Sequence, residues 1–126
     1  MVSVVVVVPF YTSVLSKFDE ISLSLLKKNL GDYHIVVVAP GLLEVPELGY
    51  PVERFDDQFF DGVVGYNQLL VSSDFYQRFH KFAFMLIYQL DALVVEDRLA
   101  DWCGRGFDYI GGVWDRLQIE KNEGVE

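Results

Sequence analysis

The sequence predicts an α/β domain with a mostly parallel sheet and helices on both faces. Three observations carry that. Two short runs of valine and isoleucine, at residues 2–8 and 35–39, show no polar alternation; strands covered on both faces read this way. Each run meets a proline, Pro9 and Pro40, which has no N–H to give a sheet ladder. Segments of helical period stand between and after them, and strand alternating with helix implies parallel pairing through crossovers.

Taken in order, residues 2–8 form the first strand and 9–16 a polar, aromatic loop. The first helix runs from about 17 to 29, with Phe18, Ile21, Leu25 and Leu26 at helical spacing. Ser16 is its expected N-cap, with Asp19 completing a shortened capping box, and Gly31 its expected stop. The second strand spans 35–39, residues 42–51 are loop, and 52–55 form a short third strand. Residues 56–62 are acidic and aromatic, a loop or a single helical turn. A helical region in two pieces covers about 63–82, its apolar face made by Leu69, Leu70, Phe75, Phe79 and Phe82. Residues 84–88 are the next strand and 94–95 a short edge strand. A short helix at 97–103 ends near Gly104, and 109–113 form a final strand. The expected domain is 1–115, with 116–126 as a charged tail.

The chain has 126 residues, 19 acids and 10 bases, for a net charge of −9. That length is one domain with one core. The charge argues against nucleic acid and against an anionic membrane surface. A polyanionic ligand would need a cation to bridge the repulsion. The lone Cys103 excludes a disulfide framework and a cysteine-rich zinc site. No apolar run is long enough to span a membrane. The valine run at the start lacks a basic lead and a small-residue cleavage site, so it is read as a strand and the expected location is cytoplasmic.

Ligands on such sheets sit outside the carboxyl ends of the strands. The step FMLIYQLDALV runs a buried strand into Gln89 and Asp91. A carboxylate at such a strand end is costly unless it is paired or bound to a metal. If the strand continues, Gln89 and Asp91 point the same way and offer hard oxygens to Mg²⁺ or Mn²⁺, with a diphosphate completing the shell. Equally, Asp91 caps the following turn or pairs with Arg54; spacing does not choose between these. In VPFYTS, Tyr11 offers a stacking face and Thr12 and Ser13 offer hydroxyls to a base or ribose. No GxGxxG and no P-loop lysine is present. In GYNQLL, Gly65 permits close approach and Asn67 is either a ligand contact or solvated. Arg54 is a candidate partner for phosphate or carboxylate. In DYIGGVW, Asp108 and Trp114 line a sugar site, or else Tyr109 and Trp114 belong to the core. His34 and His80 have no metal spacing, and Cys103 is expected buried and inert.

VPFYTS, LGDYHIVVVAP, ERFDD, GYNQLL, MLIYQLDALV and FDYIGGVW occur in this order over about residues 2–115. In that set the chain resembles an uncharacterised glycosyltransferase-like family, similar to nucleotide-sugar transferases with a single Rossmann-like domain (GT-A-like). The resemblance implies a nucleotide-sugar donor and a carbohydrate or other hydroxyl acceptor. It implies that Asp91 takes the place of the second Asp of an Asp-x-Asp metal step and Gln89 that of the first, with Mn²⁺ or Mg²⁺ as cofactor. It also implies that Pro9, Phe10, Tyr11 and Thr12 face the base and that Asn67 lies near the donor. Two departures stand out. Gln89 is neutral, and such transferases normally continue for about another half domain. The expectation is therefore the donor-binding half of a glycosyltransferase, with a non-catalytic domain for sugar binding or assembly as the alternative. Asp108 and Asp115 are the acids nearest the acceptor end. A shortened sheet would expose apolar surface and so predicts a dimer or a partner chain.

Overall fold

The computed structural model describes residues 3–111. Four parallel strands form one sheet in the order β3-β2-β1-β4, with β1 Val4–Pro9, β2 His34–Pro40, β3 Val52–Phe55 and β4 Phe84–Ile87. The central strand β1 is flanked on both sides, Val7 standing opposite Val36 on β2 and Ile87 on β4. Val4 to Val8 are at most 2% exposed, which is why this run shows no polar alternation.

Parity divides the core in two. Val6, Val8, Ile35, Val37 and Ala39 pack on the face covered by α1, Lys17–Leu30. Val5, Val7 and Val38 pack on the opposite face with Leu69 of α2, Gly62–Leu70, and Phe75 of α3, Ser73–Gln77. Helices therefore cover both faces, as the sequence predicts. A single 3-10 turn, Asp57–Phe60, links β3 to α2, and α4, Leu99–Cys103, follows the loop after β4.

The capping box of α1 is complete. Ser16 Oγ accepts from Asp19 N at 3.1 Å, and Ser16 N donates to Asp19 Oδ2 at 2.9 Å. The buried stripe of α1 differs from expectation. It is Ser22, Leu26 and Leu30, one residue every four, while Phe18 and Ile21 are both 46% exposed. Helical period finds an apolar arc, but the angle at which a helix lies on its sheet selects the stripe that is sealed. Gly31 follows the helix in a right-handed conformation, so the stop is not a left-handed glycine cap.

The edge strand expected at 94–95 does not form. Side chains take the backbone groups it would have used: Val94 N donates to Tyr88 Oη, and Val94 O accepts from Asn29 Nδ2. Tyr109 to Gly111 carry no strand; the remainder of that expected strand, Trp114, Asp115 and the tail lie outside the described residues. Cys103 is half-buried, and burial pushes its thiol up, which keeps it protonated.

Candidate functional site

The chain steps from β1 to β2 to β3 in one direction, then crosses back so that β4 lies on the other side of β1. A crevice at the carboxyl ends of β1 and β4 follows from that reversal. The structure has a cleft of about 280 Å³ there, lined by Pro9, Phe10, Tyr11, Thr12 and Leu15 after β1, Asp19 on α1, and Gln89, Leu90 and Asp91 after β4. A second, more open cleft of about 500 Å³ lies at the ends of β2 and β3, lined by Pro40, Leu42, Leu43 and the segment Asp57, Gln58, Phe60 and Asp61. Tyr11 lines both clefts and so forms their common wall.

Of the residues singled out from sequence, six thus meet in the first cleft: Pro9, Phe10, Tyr11, Thr12, Gln89 and Asp91. The route differs from the one expected. β4 ends at Ile87 and the chain turns, Ala92 N donating to Gln89 O at 3.0 Å. The turn, not a continuing strand, brings Gln89 and Asp91 to the same cleft.

Asn67 and Arg54 line neither cleft. Asn67 is exposed on α2. Arg54 donates to the carbonyls of Pro40 and Leu43, at 2.7 and 2.5 Å, and so holds the loop after β2. Asp57 pins the same loop by accepting from Gly41 N at 3.0 Å. Arg54 therefore shapes a wall of the open cleft without entering it. Asp91 forms no ion pair among the described residues, and Arg54 is spent on the loop carbonyls, so the two are not paired. Asp108 is exposed and lines neither cleft. His34 packs at a tilt against Phe82, ring centroids 5.2 Å apart, and His80 bonds the carbonyl of Gln77; neither lines a cleft.

Sequence reasoning passed over two residues. Tyr66 stands edge-on to Tyr11, ring centroids 5.7 Å apart, and its hydroxyl accepts from Gln89 Nε2 at 2.9 Å. Its signal was available: Tyr66 lies three and four residues before Leu69 and Leu70, on their arc, whereas Asn67 falls off it. Asp19 is the other, a capping residue that also lines the cleft. Gly65 does allow a close approach, but to backbone: a Cβ there would stand 2.2 Å from the Gln58 carbonyl oxygen. The glycine lets α2 pack on the 3-10 turn.

Burial pushes the Tyr11 phenol well up, and the neighbouring Tyr66 and the Asp91 carboxylate add to this. Burial also raises Tyr66, against the Gln89 hydrogen bond, which lowers it. Both are neutral hydroxyls, able to donate and accept, across the ordinary pH range. Asp19 and Asp91 line one cleft, Asp57 and Asp61 the other, and among the described residues no lysine or arginine lines either. A bare phosphate would be repelled here; a divalent cation or a neutral polyhydroxyl ligand would not.

Among the described residues no three His, Cys, Asp or Glu side chains gather as a ready metal cluster. The donor set still fits a hard cation. Mg²⁺ and Mn²⁺ take few protein oxygens and fill the rest of the shell with water and phosphate. Asp91 offers a carboxylate, and Gln89 keeps its carbonyl oxygen because its amide nitrogen is spent on Tyr66.

A family model described as "Protein of unknown function (DUF5672)" matches residues 49–125. The chain belongs to that family. The DUF5672 match covers β3 through the turn that bears Asp91 and begins after β1 and β2. Gln89, Asp91, Tyr66, Asn67 and Arg54 thus fall inside it, and the residues at 9–12 precede it. No curated protein and no solved structure matches the chain.

Proposed function

We propose that this DUF5672 chain is a glycosyltransferase-like protein that holds a nucleotide-sugar donor in the cleft between β1 and β4. The single observation that supports this is a juxtaposition. The turn bearing Gln89 and Asp91 lines the same switch-point cleft as Pro9, Phe10, Tyr11 and Thr12. Tyr11 presents an aromatic wall and Thr12 a hydroxyl, suited to a base and a ribose. Asp91 and the Gln89 carbonyl oxygen would hold Mn²⁺ or Mg²⁺. Bound there, the cation supplies the positive charge that a leaving diphosphate needs. Asp19 closes the cleft from α1 and disfavours a diphosphate that arrives without its cation. The sugar would pass to a hydroxyl of a carbohydrate or other acceptor.

Gln89 favours a second reading, a non-catalytic domain that binds donor or sugar. Its carboxamide is neutral and already engaged by Tyr66, so it gives a cation less charge than a carboxylate would.

Calorimetric titration of UDP, GDP and their sugar conjugates, with Mn²⁺ and with EDTA, tests the proposal on wild type and Asp91→Ala. Metal-dependent binding that weakens on the order of a hundredfold in Asp91→Ala is expected. Binding to none of these nucleotides sinks the donor reading. Binding without release of nucleotide in the presence of hydroxyl acceptors selects the second reading.

A further inference from the structure

We infer that Ser22 and Tyr88 are positioning residues: a buried hydroxyl pair that holds the Asp91-bearing turn against α1 and so sets the form of the switch-point cleft. Ser22 is fully buried, the lone polar side chain among the sealed residues of the described core, and Tyr88 is 6% exposed. Their oxygens lie 2.8 Å apart. Each hydroxyl has one hydrogen, and the shortest contacts choose its direction, since Tyr88 Oη also stands 3.0 Å from the Ala92 carbonyl and 3.3 Å from that of Ser22. Val94 N donates to Tyr88 Oη, Tyr88 Oη donates to Ser22 Oγ, and Ser22 Oγ donates to the carbonyl of Ala92 at 2.6 Å. The relay begins and ends on the same short segment, so Ala92 to Val94 is closed into a ring through α1.

Burial makes that ring strong. Opening the turn would strip this buried pair of its Ala92 carbonyl and Val94 N–H partners. Asn29, two turns further along α1, donates to Val94 O at 3.0 Å and ties the loop a second time. Asp91 immediately precedes the tethered Ala92, while Asp19 lies three residues before Ser22 on the same helix. The hydroxyl pair and Asn29 together therefore tie the segment next to Asp91 to the helix that carries Asp19. An apolar residue at position 22 would serve the core equally well, and the relay accounts for a serine there.

What the cleft binds rests on the donor-site reading; the clamp itself does not. The test uses the full chain as wild type, Tyr88→Phe, the double variant Ser22→Ala with Tyr88→Phe, and Phe79→Leu. Phe79 packs in the core on the opposite face of the sheet and serves as a control for general destabilisation. Two quantities are read: affinity for UDP with Mn²⁺, and amide hydrogen exchange over residues 89–94. Binding about tenfold weaker in Tyr88→Phe and about a hundredfold weaker in the double variant is expected. Faster exchange confined to 89–94 should accompany it, with neither change in Phe79→Leu. Wild-type affinity in the double variant, or a loss equal to that of Phe79→Leu, overturns the inference. Should wild type bind no metal–nucleotide pair, the donor reading fails and exchange alone decides. Local acceleration at 89–94 then upholds the clamp, and unchanged protection removes it.

Discussion

At the scale of single residues, Tyr11 shows how placement alters chemistry. It joins the two clefts, and although its ring is 48% exposed, partial burial and the neighbouring Tyr66 and Asp91 hold its proton above the usual range. Its folded pKa lies above the ordinary value of about 10 for an unfolded chain. Unfolding in alkali therefore releases a proton, and stability must fall as pH rises past about 10. Below that pH the contribution is fully present. Urea midpoints at pH 9 and pH 11 should drop slightly more in wild type than in Tyr11→Phe, since a half-exposed ring is partly screened by water; equal drops would count against a raised Tyr11 pKa. Gly65 makes a different prediction. Its Cβ would collide with the backbone of the 3-10 turn, where no flexible side chain can yield. Gly65→Ala should cost about 1–3 kcal/mol by overpacking, read from the urea midpoint.

At the scale of elements, α1 does three jobs at once. Its capping box starts it, its stripe of Ser22, Leu26 and Leu30 seals one face of the sheet, and Asp19 reaches the cleft. Ser16→Ala removes one arm of the box and should cost about 1 kcal/mol, which a thermal melt will report as about 4 °C. Cleft binding should survive, because Asp19 keeps its carboxylate. On the other face, α3 is only five residues long and holds its place through Phe75. Phe75 meets the rings of Phe55 and Phe79 at 5.6 and 5.7 Å and is 1% exposed. Phe75→Ala should cost about 3–5 kcal/mol, a large share of any domain's stability, measurable by urea unfolding. The β3 edge is shielded by Arg78, whose guanidinium lies 3.9 Å above the Phe55 ring and bonds the Arg54 carbonyl and Glu53.

At the scale of the whole molecule, topology decides where chemistry can occur. The order β3-β2-β1-β4 reverses beside β1, and the smaller cleft stands at that reversal. The net charge of −9 then limits its ligand, since among the described residues four carboxylates and no base line the two clefts. A metal-bridged donor that binds only the native state must raise stability. At one hundred times its dissociation constant the gain is about 2.7 kcal/mol, and the melting temperature should rise accordingly with Mn²⁺ and UDP together. Neither component alone, nor the pair in EDTA, should reproduce that rise.

By itself the sequence determined the alternation of strand and helix, because unbroken valine runs and a helical period record local burial. It also determined the capping box, which lies within four residues, and the residues at the ends of β1 and β4. Strand ends are legible wherever a proline or a polar step interrupts an apolar run. Tertiary structure alone decided the rest. The tilt of α1 chose Ser22 over Phe18 and Ile21, and the packing of α2 put Tyr66, and not Asn67, beside Gln89. The hydroxyls of Ser22 and Tyr88, 66 residues apart, met across the fold and turned an expected strand at 94–95 into a tethered loop. Such contacts depend on the angle and rotation of packed elements, quantities that no local pattern of residue types encodes.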